Sequence, residues 1–172
     1  MTALYCGIGL SNPKSPDNVG AVLRAAGCFA ADEIFYTGKR YNKAVQFHTD
    51  THAAASDIYL ECVASLIDAV PEKTTIVSVE LAVGAQPLVG FEHPERACYL
   101  FGPEDGTLDQ QVIDVSDEVV FVPTYGCLNL AATVNVVLYD RFAKVQKLNL
   151  QNFGDELIAS SRDQNNRLIV RQ

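Results

Sequence analysis

Between residues 118 and 140 the chain reads EVVFVPTYGCLNLAATVNVVLYD, a run that joins a strand to an apolar helix through a tight turn. Val119, Val120, Phe121 and Val122 form the strand, Pro123 breaks it, and Thr124, Tyr125, Gly126 and Cys127 turn the chain into the helix. A proline and a glycine at a strand end, followed at once by a helix start, leave backbone N–H and C=O groups open to a ligand. This is a binding-site geometry, although the same junction also serves as plain strand-turn-helix scaffolding in α/β domains.

The rest of the chain supplies the frame. Residues 3 to 8, ALYCGI, read as a buried strand; Ser15 then stands as N-cap before Pro16, with Asp17 and Asn18 in the first turn of a helix running to about residue 29. Val19, Val22, Leu23 and Ala26 make one apolar stripe on that helix. Arg24 falls off the stripe and shares its line with Gly20 and Gly27. Each glycine costs a helix roughly 1 kcal/mol relative to alanine, so the pair asks for a close approach of a ligand or a second chain.

Further strands are expected at EIFY (33 to 36), DIYLECV (57 to 63), TTIVSVEL (74 to 81), ACYLFG (97 to 102) and residues 118 to 122. Between them lie a polar stretch to about residue 50, a short helix at 51 to 56 and a helix ASLIDAV stopped by Pro71. A loop GAQPLVGFEHPERA, a short helix at 107 to 115 and a last helix at 128 to 147 complete the core. The result is an α/β single domain over residues 1–147, a six-stranded mostly parallel sheet covered by helices on both faces. Residues 148–172 have no sustained period and read as an extended or partly disordered tail. Sites in such sheets sit at the carboxyl ends of the strands, where GPEDG (102 to 106) and PTYGC (123 to 127) both lie.

Composition excludes several classes. No run of 18 or more apolar residues is present, which excludes a membrane-spanning helix, and the first residues lack the pattern of a secretion signal, so a cytoplasmic protein is expected. Five scattered cysteines, with no CxxC pair, read as reduced buried thiols, and no metal site is expected; His48 and His52 lack a third ligand. A net charge of −8 argues against a broad nucleic-acid surface, so any such contact must be local. Lys39, Arg40 and Lys43, and on the last helix Arg141, Lys144 and Lys147, are the candidate phosphate contacts, or else solvated faces. Asn135, inside the apolar run of the last helix, reads as a buried amide.

Three stretches, taken in order, resemble the SpoU (TrmH-like) family of RNA ribose 2′-O-methyltransferases in the SPOUT superfamily. The first is Asn18, Gly20 and Arg24 in SPDNVGAVLRAAG; the second is Gly102, Pro103 and Glu104 in LFGPEDGTL; the third runs from Val122 and Pro123 to Cys127, Leu128 and Asn129. The resemblance covers roughly residues 3 to 145. Cys127 stands where the family usually has serine, Thr107 replaces a usual glycine, and the loop after Pro123 is a few residues shorter than in better-known members.

The resemblance implies a deep trefoil knot, with the last helix threaded through a loop near the fourth strand. It also implies an S-adenosyl-L-methionine cofactor read by backbone groups near Ser78 and Val79, at Gly102, and at Val122, Cys127 and Leu128. Arg24, Asn18, Glu104 and Asn129 are the implied catalytic residues. A guanidinium stays protonated in proteins, so the physical role open to Arg24 is to orient the ribose or phosphate and stabilise a developing alkoxide. The implied partners are RNA, tRNA ahead of rRNA, and a second copy of the chain paired through the first and last helices. Apolar residues on too wide an arc of the last helix, Val136 and Tyr139 among them, agree with such a homodimer. Two other readings stay open: a catalytically inactive RNA-binding module on the same fold, and a Rossmann-like nucleotide binder, disfavoured because no GxGxxG follows the first strand.

Overall fold

The computed structural model describes residues 4–47, 60–145, 154–162 and 167–171. Seven strands are present among them: β1 (Tyr5–Leu10), β2 (Glu33–Tyr36), β3 (Leu60–Cys62), β4 (Thr75–Val79), β5 (Gln86–Pro87), β6 (Arg96–Phe101) and β7 (Glu118–Phe121). Helices α1 (Pro16–Cys28) and α2 (Arg40–Phe47) follow β1 and β2, α3 (Gln110–Val115) follows β6, and α4 (Leu130–Val145) and α5 (Asp155–Ser161) follow β7, while no described α-helix separates β3 from β4, β4 from β5 or β5 from β6. One sheet results, in the order β3-β2-β1-β6-β4-β7-β5, and its registered pairs are all parallel.

The sheet has one strand more than the six expected. Gln86 and Pro87, read from sequence as loop, pair with Val120 and Phe121 at the edge. Two residues show no period, and Pro87 is tolerated because an edge strand has one side free of ladder bonds.

Both faces of the sheet are covered. On one face, Ile8 and Leu10 of β1, Tyr99 and Phe101 of β6, Val77 and Val79 of β4 and Val120 of β7 are buried beneath α1 and α4. From α1 come Val19, Val22, Ala25 and Ala26, so the stripe is rotated slightly from the expected one and leaves Leu23 half-buried. On the other face Phe35, Cys98 and Leu100 pack with Leu66, Leu108, Val112 and Ile113. Gly9 lies there because a Cβ would come within 2.5 Å of a Leu100 methyl and 2.9 Å of the Phe35 ring.

Three local expectations change. Residues 64 to 70, expected as a helix, form turns, with Val70 N–H donating to the Ile67 carbonyl at 3.1 Å. The residue before Pro71 is driven out of helical conformation, which leaves too few residues to propagate a helix. The polar stretch after β2 is helical instead: Tyr41 of α2 packs edge-on against Tyr36 at 5.2 Å, a tertiary anchor that no local period reveals. Within the tail expected to be extended or partly disordered, Asp155–Ser161 form α5. The helix expected at 51 to 56, His48, His52 and Lys147 lie outside the described residues.

The base of α4 is held by its own cations. Arg141 is buried, and its guanidinium donates to the carbonyls of Tyr5, Pro94 and Glu95 and to the Tyr99 hydroxyl. Lys144 donates to the carbonyls of Leu88, Val89 and Phe91 at 2.8, 3.1 and 3.1 Å, closing the 3-10 turn Leu88–Gly90 onto the helix. His93 completes this cluster between Tyr99 and Asp140. Burial lowers its pKa, outweighing the Asp140 carboxylate, which acts in the opposite direction.

Candidate functional site

Parallel strands point their carboxyl ends one way, and the order β1-β6-β4-β7 sets four such ends side by side. The loop after β1 carries Asn18, the turn after β6 carries Gly102 and Glu104, and the loop after β7 carries Val122 to Asn129. A cleft of about 160 Å³ opens over the last three of these strands. Its apolar walls include Val79, Phe101, Phe121, Val122, Leu128 and Leu130, and its polar lining comes from Glu80, Glu104, Thr124, Asn129 and Thr133.

Glu104 joins the first motif to the second. Its carboxylate accepts from the backbone N–H of Lys14 at 2.9 Å and of Ser15 at 3.0 Å, and from Asn18 Nδ2 at 3.3 Å. Partial burial would push this carboxyl up, but those donors outweigh it and hold the pKa below the usual carboxylate value. Asp105 extends the tie, accepting from Arg40 (2.8 Å to each oxygen) and from Lys14 (3.1 Å); hydrogen bonds from these two cations lower its pKa. The turn between them needs Gly102. A Cβ there would stand 3.0 Å from the Leu108 amide nitrogen and 3.0 Å from Glu80 Oε2.

Of the cofactor residues expected from sequence, Val79, Gly102, Val122, Cys127 and Leu128 line the cleft. Ser78 does not. Alternation along β4 turns it to the opposite face, fully buried, with its Oγ 2.7 Å from Ser116 Oγ. Glu80, one residue past the end of β4, lines the cleft and was missed by sequence reasoning, as was Thr133 of α4. An acidic residue just beyond the carboxyl end of a parallel strand was the signal available for Glu80.

Of the expected catalytic residues, Glu104 and Asn129 line the cleft, and Asn18 reaches it through Glu104. Asn129 also caps α4, its Oδ1 accepting from the Ala132 N–H at 2.7 Å. Arg24 is exposed on α1 and is not among the cleft-lining residues; no described residue pairs with its guanidinium. Asn135 is likewise exposed, its amide donating to the Ala131 carbonyl one turn back rather than across a buried helix contact.

The two basic clusters fare differently from expectation. Arg141 is buried and saturated, and Lys144 is spent on three carbonyls and Asp140, so neither is an open phosphate contact. Arg40 is paired with Asp105, whereas Lys39 and Lys43 are exposed. Cysteines also divide: Cys6 and Cys98 are buried, which raises both thiol pKa values, and Cys28, Cys62 and Cys127 are exposed; all five are free. Among the described residues no three His, Cys, Asp or Glu side chains gather as metal ligands, and no helix is long and apolar enough to cross a membrane.

Residues 6–139 match the profile of the SpoU rRNA methylase family. No curated protein matches the chain in sequence. Among solved structures, the chain is similar to the SpoU methyltransferase AviRb from Streptomyces viridochromogenes in complex with the cofactor AdoMet. The TM-score is 0.69 at 18% identity, over 86% of this chain and 63% of that one. It is similar to the A. aeolicus TrmH/SpoU tRNA modifying enzyme, with a TM-score of 0.71 at 16% identity, over 83% of this chain and 76% of that one. A third structure, concerned with 2-OH methylation on tRNA, gives a TM-score of 0.66 at 21% identity, over 85% of this chain and 94% of that one. The chain spans less than two thirds of the length of AviRb.

Proposed function

Because the chain belongs to the SpoU rRNA methylase family, we propose that it is an S-adenosyl-L-methionine-dependent RNA 2′-O-ribose methyltransferase and that its substrate is a tRNA. One observation carries the reading: Glu104 hydrogen-bonds the Asn18 motif to the Gly102 turn at the edge of the cleft that Val122 to Asn129 complete. The preference for tRNA rests on the two tRNA-related structural neighbours, one of them similar to this chain in extent.

The cleft fits an adenosyl ligand. Apolar walls suit a purine, and backbone groups at the strand ends can read its edge. When bound, the cofactor supplies an electrophilic methyl group on a sulfonium. Alignment of the ribose hydroxyl and removal or polarisation of its proton are then the protein's tasks. Asn129 holds the start of α4 at the cleft, and Glu104 holds the α1 loop against it. Arg24 orients the RNA and stabilises the developing alkoxide.

Arg24 lies outside its own chain's cleft, and this favours a homodimer through α1 and α4 in which the partner's guanidinium completes the site. Val136 (39% exposed) and Tyr139 (63% exposed) on α4, with Gly20 and Gly27 on α1, offer a surface for that pairing. The same reading takes α4 as threaded in a trefoil knot, supported by the hold of Arg141 and Lys144 on the segment from Leu88 to Glu95.

The test is incubation of the purified protein with S-adenosyl-L-methionine and RNA from a strain lacking the gene, followed by mass-spectrometric mapping of ribose methylation. A new 2′-O-methyl group in a tRNA is the expected result. Cofactor binding without transfer to any RNA would leave an inactive RNA-binding module as the better reading.

A further inference from the structure

Glu80 lines the cleft and belongs to none of the three motifs. Its backbone is fixed by an N–H bond to the Val120 carbonyl at 2.9 Å. Its carboxylate is fixed as well: Oε1 accepts from the Leu81 N–H at 2.9 Å and Oε2 from the Leu108 N–H at 2.9 Å. The group is thus held from two sides, by the β4–β7 pair and by the turn that follows Gly102. Gly102 itself makes the space, since a Cβ there would stand 3.0 Å from Glu80 Oε2.

A carboxylate offers about four acceptor sites, and two are in use. No Lys, Arg or His among the described residues pairs with Glu80, in contrast to Asp105 at the other end of the same turn. What remains is a rigid acceptor pair with no counter-ion, at the carboxyl end of a parallel strand, facing a cleft suited to an adenosine. Adjacent acceptors match the adjacent hydroxyls of a ribose, the use that acidic residues serve at strand ends in dinucleotide-binding sheets.

From this geometry we infer that Glu80 is a cofactor-binding residue that accepts hydrogen bonds from the 2′- and 3′-hydroxyls of the adenosyl ribose. This rests on the reading of the cleft as the S-adenosyl-L-methionine site. It assigns ligand selectivity to a position outside the family motifs.

The experiment is calorimetry of the wild-type chain, Glu80→Gln and Glu80→Ala with S-adenosylhomocysteine and with its 2′-deoxy and 3′-deoxy analogues. Wild type is expected to prefer the full ribose by about tenfold per hydroxyl. Glu80→Ala is expected to lose that preference: its affinity for the full ligand drops by about 100-fold and for each deoxy form, which keeps one hydroxyl, by only about tenfold. Glu80→Gln keeps one acceptor oxygen for the Leu108 amide and secures the comparison if the alanine chain unfolds; it is expected to fall between. Equal weakening toward all three ligands would make Glu80 a turn clamp alone and overturn the inference. So would a wild type that binds all three alike. A wild type that binds none of them would instead remove the cofactor reading itself.

Discussion

Arg24 and Arg141 are the same residue type on two helices that pack together, and they sit in opposite circumstances. Arg24 projects from α1 between two glycines, exposed, with no described partner. Arg141 is 6% exposed on the inner side of α4, with donors shared among three carbonyls and a hydroxyl. Five guanidinium donors that find acceptors inside a fold make a structural bolt; the same donors left in water are free for a phosphate or a ribose. Charge counted along a sequence does not separate the two.

The comparison breaks first at Arg24. Arg24→Ala is expected to lower methyl transfer by about 100-fold or more while folding stability stays within about 0.5 kcal/mol. Rates with tritiated cofactor and a urea melt on one preparation decide it. Joint loss of activity and fold would make Arg24 a second bolt.

Arg141→Met should do the reverse. It removes the guanidinium donor shared by the Tyr5, Pro94 and Glu95 carbonyls, at a cost of about 3 kcal/mol read from the urea midpoint. RNA affinity of the folded fraction is expected to stay unchanged, and a stable Arg141→Met chain with weakened RNA binding would return this residue to the RNA surface.

Glu104 sits between these extremes, partly exposed yet fully engaged. Its folded-state pKa is lowered, so its contribution is complete above the ordinary carboxylate value of 4.5 and is lost as pH falls through the folded-state value. Glu104→Gln is expected to cost about 1 kcal/mol at neutral pH and to flatten the acid limb of a stability profile. An unchanged acid limb would mean that the clamp contributes nothing to stability.

Cys127→Ser should have the smallest effect. The thiol is exposed and donates to the Leu128 carbonyl at 3.7 Å, so activity within about twofold of wild type is expected. A folded but inactive serine chain would give the sulfur a role of its own.

Much of this protein is written in local pattern. The buried strands, the Ser15-Pro16 start of α1 and the turn at Gly102 and Pro103 were legible because each depends on residues next to one another. The family match is legible for the same reason: backbone chemistry at a strand end needs short motifs at short spacing. Tertiary structure alone decided the rest. Gln86–Pro87 became a strand because β7 offered it an edge, and α2 formed where Tyr36 gave Tyr41 a surface. Ser78 faces away from the cleft and Glu80 lines it because the sheet, not the motif, sets which residues of and beyond β4 reach the ligand side. Arg141 became a core residue because carbonyls from Tyr5, Pro94 and Glu95, 45 or more positions distant in sequence, converge on it. Satisfaction of a buried charge is a property of distant neighbours, and a linear pattern carries no record of them.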